Sequence, residues 1–202
     1  MTELDHLRQR FADHEPDLLH ARFRCAVLCP LVERADGLHL IFEVRARGVS
    51  QPGEVCFPGG RMEPGESIIR CALREAHEEL AIPPEEVTIL GTPDFICNQS
   101  GFLLRPVLGL VSAAGFDAIT PSPGEVAEVF TVPLSFFRDT PPQAWAYDLL
   151  PQVSEDFPYE SVGIPRDYRW NRGHVEIPIW YWQGHAIWGM TARLTQDLIR
   201  TL

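Results

Sequence analysis

The sequence predicts an α/β (α+β) fold, one mixed β-sheet between helical layers, with residues 1–202 forming a single domain. Three observations predict it. β-rich apolar runs alternate along the chain with segments of helical spacing. Ala35-Asp36-Gly37 stands between two such runs, a hairpin signal. A Gly/Pro-rich loop over 47–62 leads to a helix over 67–80, which starts after Pro64-Gly65-Glu66-Ser67 and stops before Pro83-Pro84.

In order, residues 3–20 carry Leu4, Leu7, Phe11, Leu18 and Leu19 at helical spacing, with Pro16 interrupting them. A short helix and a second turn follow from this, making 1–22 an N-terminal helical extension. The hairpin strands are 23–33 and 38–46. After the 67–80 helix, strands are expected at 86–97, 103–112 and 125–132, then a short helix near 133–138. The stretch 139–166 is rich in Pro, acids and aromatics without a clear period, and reads as an insertion loop. Strands near 173–183 lead to a final helix over 189–201.

Composition excludes several function classes. The net charge is −11 and the pI near 5.0, so the surface repels nucleic acid and anionic membranes, and neither is an expected partner. An anionic substrate needs local Arg or metal to offset that field. All 17 basic residues are Arg, which removes lysine Schiff-base chemistry and the P-loop lysine. The five cysteines, Cys25, Cys29, Cys56, Cys71 and Cys97, are odd in number and form no CxxC pair, so no disulfide framework or zinc knuckle is expected, and the apolar stretch around Cys25 and Cys29 makes buried thiols the expectation for those two. No apolar run approaches a membrane span, and the polar start lacks a signal-peptide profile, so a cytoplasmic location is expected.

The chemistry concentrates on one helix. At ~100° per residue, Glu75 and Glu79 share a face and Glu78 lies beside them. Three crowded carboxylates repel one another unless a cation sits among them, and Mg²⁺ or Mn²⁺ takes oxygen ligands. Arg74, four residues before Glu78, can pair with it. Upstream, Phe57-Pro58-Gly59-Gly60 is a sharp turn whose glycines permit close approach of backbone, metal or phosphate. An isolated acidic run is usually a solvated helix face. Here the glycine turn, Glu66, Arg74 and three glutamates occur together at fixed offsets.

Residues 60–82 resemble the Nudix box, G-x5-E-x7-R-E-U-x-E-E-x-G-U, with U a bulky apolar residue. Gly60, Glu66, Arg74, Glu75, Glu78, Glu79 and Ile82 match, Ala76 is a small version of the apolar position, and Ala81 replaces the last glycine. A left-handed helix end at Ala81 costs about 1 kcal/mol. The resemblance implies an α/β/α sandwich with the catalytic loop and helix after the hairpin. It implies a metal-dependent hydrolase that splits a nucleoside diphosphate linked to another moiety. Glu75 and Glu79 would be the firmest metal ligands, Glu78 a ligand or base, the carbonyl near Gly60 another ligand, and Arg74 part of the same catalytic group. Glu66 would brace the loop against Arg74. An extra catalytic carboxylate is often found on a later loop in this family, and Glu125 and Glu128 stand in that area.

Flanking residues are similar to those of the coenzyme A pyrophosphatases. Gly53 and Phe57-Pro58-Gly59-Gly60 fit that subfamily's upstream pattern, L-L-T-x-R-S-x3-R-x3-G-x3-F-P-G-G, although its first Arg is offset by one at Arg45 and its second is Val49. Ile187-Trp188-Gly189-Met190-Thr191-Ala192 resembles the IWGxTA stretch of the same subfamily, and Pro106-Val107-Leu108-Gly109 also fits. The implied substrate is coenzyme A or an acyl form, cleaved to 3′,5′-ADP and (acyl-)4′-phosphopantetheine. Arg45, Arg47 and Arg61 are candidates for its phosphates, and Phe57 for its contact surface. ADP-ribose, nucleotide sugars or oxidised nucleotides are alternatives in the same class. A non-catalytic nucleotide-binding regulatory domain is the alternative of another class; such domains usually lose box glutamates, and here all are kept. Residues 139–166 have the length to reshape a groove or build a homodimer contact.

Overall fold

Antiparallel and parallel pairings meet on one central strand. The computed structural model describes residues 1–14 and 18–202, so the expected interruption at Pro16 lies outside the described residues. The elements run α1 (Glu3–Phe11), β1 (Phe23–Arg34), β2 (Gly37–Arg45), β3 (Val55–Cys56), β4 (Gly59–Arg61), α2 (Ile68–Leu80), β5 (Val87–Gly91), β6 (Ile96–Cys97), β7 (Phe102–Val111), α3 (Ala113–Asp117), β8 (Val126–Pro133), α4 (Leu134–Asp139), β9 (Gln143–Leu149), β10 (Gly173–Trp182), β11 (His185–Trp188) and α5 (Gly189–Arg200).

The main sheet has the order β3-β2-β1-β7-β5, with β4 on β1, β6 on β7 and β8 on β2. β1 runs parallel to β7 and antiparallel to β2, which makes the sheet mixed as expected. β1 is a near-continuous apolar run because both faces of this strand are covered. The hairpin turn is Ala35-Asp36, since Arg34 pairs with Gly37, whose φ of +121° suits glycine.

One face of the sheet packs on α2, where Cys71, Ala72, Ala76 and Leu80 meet Ala26, Leu28, Ile41 and Val107. The opposite face carries Leu40, Phe42, Phe57 and Leu104 against Phe137 of α4, Ala192, Leu194 and Leu198 of α5, and Trp180 and Ile187. The second layer is therefore part helix and part sheet, because β9, β10 and β11 form a three-stranded antiparallel sheet of their own.

Two expectations change. The stretch 139–166 is not wholly loop, since Gln143–Leu149 is β9, paired along β10 from Gly173↔Leu149 to Ile179↔Gln143. The strand signal there is a short alternation of Trp145, Tyr147 and Leu149 with Ala144, Ala146 and Asp148 behind Pro141-Pro142. Its pairing is supplied from a distance by β10. The single run expected over 86–97 splits into β5 and β6, with Thr92-Pro93-Asp94-Phe95 between them; Pro93 lacks the N–H that a continuous strand needs.

Candidate active site

Ser67 caps α2, its hydroxyl accepting from the Arg70 N–H at 3.3 Å. Ala72 and Ala76 let the helix lie against the sheet, and this presents Glu75 and Glu79 to β4. At the helix end Ala81 takes the left-handed conformation expected of it, φ 57° and ψ 22°, and its N–H reaches the carbonyls of Ala76 and His77. β4 pairs with β1 through Ala26↔Gly60 and Val27↔Gly59. The turn admits no side chain at Gly59, where a Cβ would stand 2.4 Å from the Ala26 carbonyl oxygen; a Cβ at Gly60 would stand 2.5 Å from the Glu75 carboxylate and displace it.

Arg74 is the hub of one side of the site. Its Nε donates to Glu66 Oε1 at 3.0 Å and a terminal nitrogen to Glu66 Oε2 at 3.1 Å, a two-pronged pair. The same guanidinium donates to Glu75 at 2.8 Å, to Glu78 at 3.0 Å and to the Arg61 carbonyl at 3.2 Å. The Arg74 hydrogen bonds, with the Glu63 N–H, hold the Glu66 carboxyl down to about 2. The expected brace between Glu66 and Arg74 is present, and Arg74 also binds two of the box glutamates.

Glu79 faces the other way. It is 8% exposed and accepts from the Gly59 N–H at 2.8 Å. Burial, then the negative charge of Glu43, push its carboxyl up to about 8, against the pull of that N–H. Glu75 is raised too, by burial, with Arg74 opposing. Glu43 is a residue that the sequence reading passed over. It is 1% exposed on β2, opposite Cys56, whose thiol donates to its Oε1 at 3.3 Å; its Oε2 has no partner among the described residues. Burial raises Glu43 to about 7. A charge inside the run Leu40-Ile41-Phe42-Glu43-Val44 was the available signal.

The two later carboxylates separate. Glu125 is exposed on a loop whose backbone bonds to Ala46, and Ser122 of that loop bonds to the carbonyl of Glu79; the charge of Glu125 acts on both Glu43 and Glu75. Glu128 instead pairs with His185 at 3.3 Å, on β8.

A cavity of about 950 Å³ opens beside the glycine turn. Phe57, Gly59 and Gly60 line one end; Trp188, Thr191 and Arg193 of the α5 side, and Tyr147 of β9, line the rest. The Thr191 hydroxyl donates to the Val55 carbonyl at 3.2 Å and so fixes that wall to the loop before the turn. Arg45 lines the cavity but is partly engaged, donating to the Ser50 carbonyl at 2.8 Å. Phe57 is mostly core, stacked on Phe42 at 4.8 Å. Arg47 is exposed and outside the lining, and Arg61 lies over the Phe23 ring at 5.7 Å. Trp180 is buried in the core, while Tyr181 is exposed outside the cavity.

The NUDIX domain profile matches residues 22–153. The chain belongs to the Nudix family. The uncharacterised Nudix hydrolase NudL of Enterobacter sp. (strain 638) is 34% identical over 96% of this chain and 92% of its own length. That of Pectobacterium atrosepticum is 34% identical over 89% and 83% respectively. A solved Nudix hydrolase from M. smegmatis, RenU, aligns at 24% identity with a TM-score of 0.48, covering 58% of this chain and 74% of its own. The chain is a Nudix hydrolase, and its reaction class is diphosphate hydrolysis. Nudix hydrolases generally use divalent metal ions. The donor set here suits such an ion, being carboxylate oxygens with one buried, unpartnered atom among them. Among the described residues no three acidic, imidazole or thiol groups already converge as a ready cage.

Proposed function

We propose that this Nudix hydrolase cleaves coenzyme A or an acyl form, adding water across the diphosphate to give 3′,5′-ADP and (acyl-)4′-phosphopantetheine. One observation carries the reading. The two stretches that resemble the coenzyme A pyrophosphatases, Gly53–Gly60 and Ile187–Ala192, lie far apart in sequence yet meet on one cavity, joined by the bond from Thr191 to Val55. That cavity is mixed in polarity and reaches Gly59 and Gly60, which stand against Glu79 and Glu75, and this suits a diphosphate with a thin apolar arm. Arg193 and Arg200 of α5 also line it and add cationic groups for the outlying phosphate.

In this reading Glu75 and Glu79 hold Mg²⁺ or Mn²⁺, with the carbonyl near Gly60 beside them. The bound ion neutralises diphosphate charge and lowers the pKa of water. Glu78, which is half-exposed, orients or deprotonates water, and Glu125 is the better placed of the two later carboxylates. Arg74 holds Glu75 and Glu78 in place. Arg45 steadies the phosphates from the cavity wall.

Incubation with Mg²⁺ or Mn²⁺ and a panel of coenzyme A, acetyl-coenzyme A, ADP-ribose, nucleotide sugars and oxidised nucleotides tests this. Product masses should be those of 3′,5′-ADP and phosphopantetheine. Preferred cleavage of ADP-ribose would overturn the substrate, and no cleavage of any diphosphate would overturn turnover itself.

A further inference from the structure

Glu43 is a fully buried carboxylate that the box chemistry does not use. The Cys56 thiol satisfies one oxygen, and Oε2 has neither donor nor acceptor within reach among the described residues, so a protonated Glu43 would be no better satisfied there. The adjacent Arg45 has its guanidinium on Ser50 and the Cys56 sulfur, and its charge offsets part of the burial of Glu43 without a hydrogen bond to it. The charges that press on Glu43 are those of Glu125 and Glu75, and Glu43 in turn presses on Glu79. Ile41 of β2 packs on α2, and Glu43, two residues on, shares that face; its partner Cys56 lies just before Gly59, whose N–H binds Glu79, so β2 delivers a further carboxylate to the side of the sheet where α2 delivers Glu75 and Glu79. A fold that keeps an unpaired carboxylate beside others bears a large electrostatic penalty unless a cation arrives.

We propose that Glu43 is an additional metal-facing carboxylate of this chain, supplied by the sheet and completing from below the donor set that α2 begins. The inference rests on the metal-dependent reading above, and concerns only which side chains meet the ion. Glu43 then serves as a ligand or, through a metal-bound water, as its neighbour. Cys56 holds the carboxylate oriented.

The test is Mn²⁺ binding without substrate, by isothermal titration of the full chain and its Glu43→Gln variant, with circular dichroism to establish folding. Glu43→Gln should bind Mn²⁺ at least ~10-fold more weakly. The rise in its melting temperature on adding Mn²⁺ should be smaller than that of the wild-type chain. Affinity within two-fold of wild type would overturn the proposal while leaving the hydrolase reading intact. A wild-type chain that binds no Mn²⁺ would overturn both. Should Glu43→Gln not fold, ¹³C NMR of the wild-type side-chain carboxyls decides. Substoichiometric Mn²⁺ should broaden the Glu43 signal as strongly as those of Glu75 and Glu79, and a sharp Glu43 signal would overturn the proposal.

Discussion

The two flanks of α2 handle negative charge in opposite ways. Toward Arg74, the carboxylates of Glu66, Glu75 and Glu78 share one guanidinium, with bonds of 2.8–3.1 Å. Toward the sheet, Glu79 and Glu43 are buried with one backbone N–H and one thiol between them. The first flank has a cation among its carboxylates, so it is the better balanced of the two and holds its shape. The second is unbalanced, and such a place is suited to chemistry because an incoming cation gains the most there.

The largest expected break in this contrast is Glu79→Gln. It should remain folded and lose on the order of 10²–10³ in kcat with saturating Mn²⁺, measured by product formation from the best diphosphate of the panel. Near-normal turnover would remove Glu79 from the site. Arg74→Ala attacks the balanced flank instead. It should cost about 2–3 kcal/mol of stability, read from denaturant midpoints, because several charge-assisted bonds go at once. Arg74→Lys should recover only part of this, since an ammonium cannot reproduce the two-pronged pair.

The pH dependence of the metal-free chain should separate the flanks by sign. Glu66, held at about 2, contributes stability that is present above the ordinary carboxylate range and lost as pH falls through it. Glu43 and Glu79, raised to about 7 and about 8, do the reverse: their contribution is full in acid and is lost as pH rises from about 4.5 toward those values. Melting temperature followed from pH 5 to 8.5 should fall on the alkaline side, and Mg²⁺ or Mn²⁺ should restore more of it at pH 8 than at pH 5.5. Equal restoration at both would contradict the unbalanced flank. The smallest effect serves as a control. Ala81→Gly relieves the left-handed helix end and should add up to about 1 kcal/mol without altering kcat or metal dependence.

Local spacing made much of this legible. The caps and prolines placed α2, the Asp-Gly step placed the hairpin, and the offsets of Glu66, Arg74, Glu75 and Glu78 placed the balanced flank, with Glu79 one turn on from Glu75. What escaped depends on distant partners. Glu43 is marked in sequence only as a charge inside an apolar run, and its place beside the box glutamates depends on β3 and α2 closing over it. β9 needs β10, which lies beyond a long loop, to become a strand. Glu125 and Glu128 have the same character in sequence, and only the registry of β8 on β2 sends one toward the glutamates and the other to His185. Arg45, Arg47 and Arg61 neighbour the box along the chain, whereas the cavity takes two of its arginines, Arg193 and Arg200, from α5.

The bond from Thr191 to Val55 also sets an order of events in biosynthesis. Its two ends are 136 residues apart, so at common translation rates the glutamate helix leaves the ribosome on the order of 10 s before the far wall of its cavity. During that interval a nascent chain carries the acidic pole without the groove that selects a substrate. Maturation of the enzyme is therefore timed by the arrival of α5.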